Sequence, residues 1–173
     1  MLTRLMRDFG FDFYWQDKYC SNVLAAGFEY APELGPCRAV TAFEVLEHLT
    51  NPLAFVRDAL RAANSKVMLF STELYSGAPP RASDWQYYSF PTGQHIGFFQ
   101  RRTLEIMSVQ LGMKFFSSNG IHVFSSEPIC EGYFAFLTGR VAPKFAPIFT
   151  RRWLGAKTLD DSQRMLDRMS PTR

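Results

Sequence analysis

Ala39-Val40-Thr41-Ala42-Phe43-Glu44-Val45-Leu46-Glu47-His48-Leu49-Thr50-Asn51-Pro52 is the stretch whose reading decides the fold. Ala39 to Phe43 is a short apolar run of strand type. It gives way at once to three ionisable side chains, Glu44, Glu47 and His48. Asn51 before Pro52 marks a helix start, because an Asn side chain caps free N–H groups and a first-turn Pro needs no donor. Leu53, Val56, Leu60 and Ala63 then recur at helical spacing, while Arg57, Asp58 and Arg61 fall on the opposite face. Val67 to Phe70, an uninterrupted apolar run, suits a buried parallel strand. Strand, polar turn, helix and strand together form one unit of an α/β sheet. Glu44, Glu47 and His48 then fall at the C-terminal edge of that sheet, where such folds bind ligands.

The same rhythm extends in both directions. Leu2, Leu5, Met6 and Phe9 have the spacing of a helix with one buried face, which Gly10 is placed to end. Phe11 to Trp15 reads as a short strand with Asp17 just beyond it. Val23 to Ala26 reads as a short helix and Gly27 to Tyr30 as a brief strand. Downstream, residues 74–98 are rich in Pro, Gly and aromatics and read as a long functional loop. Leu104, Met107 and Leu111 mark a further helix closed by Gly112. Met113 to Phe116 and Ile121 to Ser125 read as two closing strands joined by an Asn119-Gly120 hairpin turn. We expect one domain over 1–126 and an irregular extension over 127–173, with a helix near Asp160 to Met169.

At 173 residues the chain suits a single core, and 47% hydrophobic with 20% charged residues is ordinary for a globular protein. The net charge of +3 and scattered Lys and Arg, paired only at Arg101-Arg102 and Arg151-Arg152, give no basic stripe for nucleic acid. Cys20, Cys37 and Cys130 form neither a disulfide framework nor a zinc pattern, which points to a reducing, cytoplasmic setting. No apolar run approaches the roughly 20 residues of a membrane span, so neither nucleic acid nor a membrane is expected as a partner.

Three segments in order carry a family resemblance. They are Phe11-Asp12-Phe13-Tyr14-Trp15-Gln16-Asp17, the Thr41 to Pro52 run, and Gly93-Gln94-His95-Ile96-Gly97-Phe98-Phe99 before Thr103-Leu104. Together they resemble the class I S-adenosylmethionine-dependent methyltransferases, closest to the group that includes ubiquinone-biosynthesis O-methyltransferases. The resemblance spans roughly residues 1–125. It implies a Rossmann-like, doubly wound, mostly parallel sheet with one antiparallel strand near the C-terminal edge. It also implies a first strand and a glycine-rich cofactor loop ahead of the first helix, whereas Met1-Leu2-Thr3-Arg4-Leu5 already reads as that helix. The chain is therefore read as a truncated fragment, as the product of a start codon placed too late, or as a degenerate protein that no longer binds the cofactor. Under the first two its coding sequence is expected to continue in frame upstream into a Gly-rich segment.

The resemblance assigns candidate roles. Asp17 would accept hydrogen bonds from the ribose hydroxyls of S-adenosylmethionine, although position alone favours a turn aspartate. Phe43 and Glu44 would contact the cofactor. Glu44, Glu47 and His48 stand at i, i+3 and i+4, and a helix starting there would project all three from one face. That pattern resembles the E-x-x-E-H metal site of small-RNA 2′-O-methyltransferases, with His95 as the fourth ligand. Two carboxylates with imidazole suggest a divalent cation such as magnesium or manganese. The alternatives are hydrogen bonding without metal, and His95 as a general base. Trp85, Tyr87 and Tyr88 would line an acceptor pocket or pack a lid, and Trp153 with Leu154 would dock on a partner.

The reading is thus a methyltransferase acting on a small-molecule acceptor. A non-catalytic Rossmann-like binding or scaffold protein is the competing class. RNA 2′-O-methylation is a third reading, opposed by the missing basic stripe. The acceptor and the oligomeric state are not legible.

Overall fold

The computed structural model describes residues 1–169. In chain order its elements are α1 (Leu2–Asp8), β1 (Val40–Phe43), α2 (Pro52–Ala62), β2 (Val67–Ser71), α3 (Arg101–Gln110), β3 (Lys114–Ser118), β4 (Ile121–Ser125), α4 (Glu131–Thr138), α5 (Ala142–Leu154) and α6 (Thr158–Met169). Single 3₁₀ turns occur at Pro32–Leu34, Leu46–His48 and Gln86–Tyr88. By compactness the chain divides into a central unit, Gly35–Gly139, and a terminal unit that joins Met1–Leu34 to the segment from Arg140 onward.

The central unit is a mixed α/β structure of Rossmann-like type. Its sheet runs β1-β2-β4-β3. β1 pairs parallel with β2, and β4 runs antiparallel to both β2 and β3. Three strands therefore share one direction and β4 alone is reversed. It lies one place in from the edge, which β3 forms. The hairpin joining β3 to β4 turns at Asn119 and Gly120, both in the left-handed region with φ of 51° and 77°. This is the geometry that Asn-Gly favours.

The core follows the strand alternation. Ala42 on β1, Met68 and Phe70 on β2, and Phe124 on β4 are buried beside Val56 and Leu60 of α2 and Leu104 and Met107 of α3. Asn51 caps α2 as expected: its Oδ1 accepts from the Ala54 N–H at 3.0 Å, and Pro52 opens the helix. Such a cap stabilises a helix by about 1 kcal/mol. Gly112 ends the α3 segment with φ of 68°. The apolar run at Val67–Ser71 buries alternate residues, Met68 and Phe70, because that face packs against α2 and α3.

The terminal unit departs further from the sequence reading. Leu2 and Leu5 are exposed on α1, whereas Thr3 and Arg7 are buried. The reason lies far along the chain. Arg7 donates from Nε to Asp161 Oδ2 at 2.7 Å and from Nη2 to Oδ1 at 2.8 Å, a bidentate pair with α6. The Arg7 guanidinium also lies over the Phe28 ring, 4.2 Å from its centroid. Turning this face outward would break the pair and strand the Asp161 charge, so α1 buries Arg7 in place of its leucines. The two strands expected at Phe11–Trp15 and Gly27–Tyr30 reduce to one parallel bridge, Trp15 to Glu29. Residues 23–26 form turns, because Asn22 Oδ1 accepts from the Leu24 and Ala25 N–H groups and closes a turn instead of a helix. The extension from Glu127, expected to be irregular up to a helix near Asp160 to Met169, carries α4 and α5 as well as that helix, α6.

Candidate functional site

β1 ends at Phe43, which is half-buried and paired with Ser71 at the end of β2. Glu44 follows in the left-handed region, with φ of 51°. Only then does the Leu46–His48 turn begin, and it is 3₁₀. The expected helix does not start at Glu44, so the three side chains do not share one helical face.

Glu44 is drawn back onto the strand ends. Its N–H points at Ser71, and its Oε1 accepts from Ser71 Oγ at 2.6 Å. Its Oε2 accepts from Tyr87 Oη at 2.9 Å. Burial raises the affinity of this carboxyl for its proton, but the Ser71 and Tyr87 bonds outweigh that and hold its pKa below the ordinary value.

Glu47 is fully buried. Its Oε1 accepts from Tyr87 Oη at 2.7 Å, while Oε2 has no hydrogen-bond partner among the described residues. Tyr87 also exchanges a hydrogen bond with Thr72 Oγ1 at 3.1 Å. Burial pushes the phenol well above its ordinary pKa against the opposing Thr72 bond, and the two carboxylate acceptors add to the rise. The phenol therefore stays protonated and serves as a donor.

The two histidines are oriented alike. Nδ1 of His48 lies 2.9 Å from the Gln94 carbonyl, and Nδ1 of His95 lies 2.6 Å from the Tyr87 carbonyl. A carbonyl only accepts, so each Nδ1 carries the hydrogen and each Nε2 offers its lone pair. The rings meet edge to face with centroids 4.7 Å apart. The loop carrying His95 is pinned to the same turn, because the Ile96 and Gly97 N–H groups donate to the Glu47 carbonyl at 2.8 and 2.9 Å.

One ligand atom from each of Glu47, His48 and His95 lies within 4.8 Å of the others. Two imidazoles and a buried carboxylate gathered this closely are the donor set of a small divalent cation. On this count the residues fit one. Glu44, also expected as a ligand, stands beside that group with its oxygens engaged by Ser71 and Tyr87.

Trp85 packs against Tyr75, Tyr87, Tyr88 and Phe98, with ring centroids 5.0 to 5.9 Å apart. Its indole N–H donates to Glu73. The aromatic loop is thus a packed layer with Tyr87 reaching through to the carboxylates. Ser71, Thr72 and His122 were not singled out in the sequence. The first two sit where β2 ends beside β1, and that position was the available signal. His122 is buried, with Nε2 3.0 Å from the Thr72 carbonyl and Nδ1 2.9 Å from Ser117 Oγ. Asp17 belongs to the terminal unit and is exposed. Its Oδ1 accepts from the Tyr19 and Cys20 N–H groups at 2.7 and 3.0 Å, which lowers its pKa.

A family model described as a methyltransferase domain matches residues 1–114. The chain belongs to that family. The match takes in the β1–β2 pair, the Glu44–His48 corner and the His95 loop. No curated protein matches the chain. Methyl transfer is therefore the activity of the family to which this corner belongs. Among the described residues, no helix of this methyltransferase-domain protein is long and apolar enough to cross a membrane.

Proposed function

We propose that this chain is an S-adenosylmethionine-dependent methyltransferase acting on a hydroxyl or similar group of a small molecule. The observation that carries the reading is the cluster of Glu47, His48 and His95 in the corner after β1, with one ligand atom of each within 4.8 Å of the others and each imidazole oriented by a backbone carbonyl. Methyl transfer from a sulfonium is an in-line displacement: the acceptor lone pair forms the new bond as the carbon–sulfur bond breaks and the sulfur leaves as a neutral sulfide. The cofactor supplies the activated methyl, so the protein's work is to bind, align and exclude water.

Phe43 and Glu44 are the proposed cofactor contacts in the central unit, and Asp17 is the proposed acceptor from the ribose hydroxyls. The packed aromatic layer around Trp85 and Tyr88 excludes water and offers stiff apolar surface to an acceptor. Glu47, His48 and His95 would hold a divalent cation. Bound there, the cation would lower the pKa of an acceptor hydroxyl. Two nitrogens and one oxygen suit manganese or zinc better than magnesium, which prefers oxygen alone.

His95 has only Nε2 to offer, because its Nδ1 hydrogen is committed to Tyr87. It either ligates a cation or takes the acceptor's proton as a general base, not both. Transfer of label from S-adenosyl-[methyl-³H]methionine to a panel of hydroxylated small molecules, with and without chelator, tests the reading. Label transfer abolished by chelator and restored by manganese supports the metal form. Chelator-insensitive transfer leaves His95 as the base. No cofactor affinity at all would leave a non-catalytic binding protein.

A further inference from the structure

α5 has an outward face that neither the family match nor the catalytic corner uses. Phe145 is 54% exposed, Ile148 65% and Trp153 83%. Lys144 and Arg152 are also exposed on this helix, and among the described residues neither has an ion-pair partner. The surrounding sequence is one-sided in charge. Between Glu131 and Asp160 there is no acidic residue, whereas Arg140, Lys144, Arg151, Arg152 and Lys157 all occur.

The helix is anchored at its C-terminal end. Its last residue packs on the end of α1, where Gly10 lies so close that a Cβ there would collide with the Gly155 carbonyl and the Leu154 side chain. The Lys157 N–H donates to the Arg7 carbonyl at 3.2 Å. A hollow of about 420 Å³ lined by Phe11, Thr150, Trp153 and Leu154 opens at that C-terminal end. A short, basic helix that presents Phe, Ile and Trp to solvent has the composition of an element that lies in a membrane interface.

We propose that the outward face of α5 binds an anionic lipid surface. Charge complementarity selects the occupant: Lys144 and Arg152 stand among the apolar side chains, no acidic residue occurs between Glu131 and Asp160 to pair a second copy of this helix, and the neighbouring Asp12 is already paired with Lys157. Trp and Phe enter the acyl boundary while Lys144 and Arg152 meet phosphate groups, and the hollow beside Trp153 receives part of an acyl chain. The expectation of no membrane partner rested on the lack of a span, and a helix lying in the interface needs none.

Co-sedimentation of the full chain with vesicles of pure phosphatidylcholine, and of phosphatidylcholine mixed with phosphatidylglycerol, tests this. Binding to the anionic vesicles at least about tenfold tighter is expected, and it should weaken as salt rises. The paired substitution Lys144→Glu and Arg152→Glu should remove the preference for anionic vesicles, and Trp153→Ala should weaken binding to them. Both changes are at exposed positions, and unchanged far-UV circular dichroism checks that the fold is kept. Equal binding to both vesicle types, or charge-reversed protein that binds as well as the parent, would overturn the proposal. So would a dimer that Trp153→Ala dissociates in the absence of vesicle binding, or capture by polyglutamate in place of vesicles. None of these readouts depends on methyl transfer.

Discussion

The hydroxyl of Tyr87 lies 2.7 Å from Oε1 of Glu47 and 2.9 Å from Oε2 of Glu44, so one phenolic proton stands between two carboxylates. The residues are far apart in sequence, and the contact joins the aromatic loop to the corner after β1. Tyr87→Phe keeps the ring packing but strips the buried Glu47 carboxyl of its phenolic donor. A buried polar group stripped of its partner costs about 1–3 kcal/mol. Urea denaturation of the variant should show a loss in that range. A change below about 0.5 kcal/mol, the usual scatter of surface substitutions, would mean that Glu47 is not held in this way.

Divalent cation binding should follow the geometry of the three-residue group. Calorimetric titration with manganese should give a single site that His48→Ala, His95→Ala or Glu47→Gln each weaken by about tenfold or more. Glu44→Gln should weaken it far less, because the Glu44 oxygens are committed to Ser71 and Tyr87. Manganese affinity unchanged by both histidine substitutions would remove the metal from the account.

The terminal unit should be acid-labile through Asp161. Burial works against its charge, but the hydrogen bonds and charge of Arg7, with Arg4, hold its pKa below the ordinary carboxylate value. A lowered folded pKa means stability that is present above the unfolded value, about 3.9, and lost as pH falls through the folded one. Asp161→Asn leaves Arg7 buried without its counter-ion, which costs about 3 kcal/mol. Thermal unfolding followed from pH 7 to pH 3 should show the parent converging on the variant as the pH drops. Parallel curves would show that the pair does not act as the geometry implies.

His122 gives a second limb at higher pH. Burial lowers its pKa below the ordinary value despite its bond to the Thr72 carbonyl. The unfolded chain therefore takes up a proton near pH 6.5 while the folded protein does not, and stability is lost as pH falls below that point. The denaturation midpoint should drop between about pH 7 and pH 5, and His122→Gln should flatten that slope. A slope unaltered by the substitution would assign the acid loss to other groups.

The local features were the legible ones. Asn51-Pro52 specifies its own helix start, Leu104 and Met107 their own buried stripe, and Asn119-Gly120 its own turn, because each is decided within a few residues. What escaped the sequence was decided over distance. Arg7 finds Asp161 across 154 positions, and this reverses the face that Leu2 and Leu5 suggested for α1. Tyr87 finds Glu47 across 40 positions. Glu44 was read as part of one helical face with Glu47 and His48, yet its left-handed backbone and the Ser71 hydroxyl turn it aside. α5 gave no clear signal because Pro147 lies inside it and Phe145, Ile148 and Trp153 are exposed. Even so, His48 and His95 were both named from the sequence, and the structure places their rings in contact.

Calorimetric titration of S-adenosylmethionine into the protein tests the central claim most directly. The account predicts saturable one-to-one binding that S-adenosylhomocysteine competes away and that Glu44→Ala weakens. Absence of any saturable heat with either compound would contradict it, and the corner after β1 would then be a structural feature of a protein that does not bind the methyl donor.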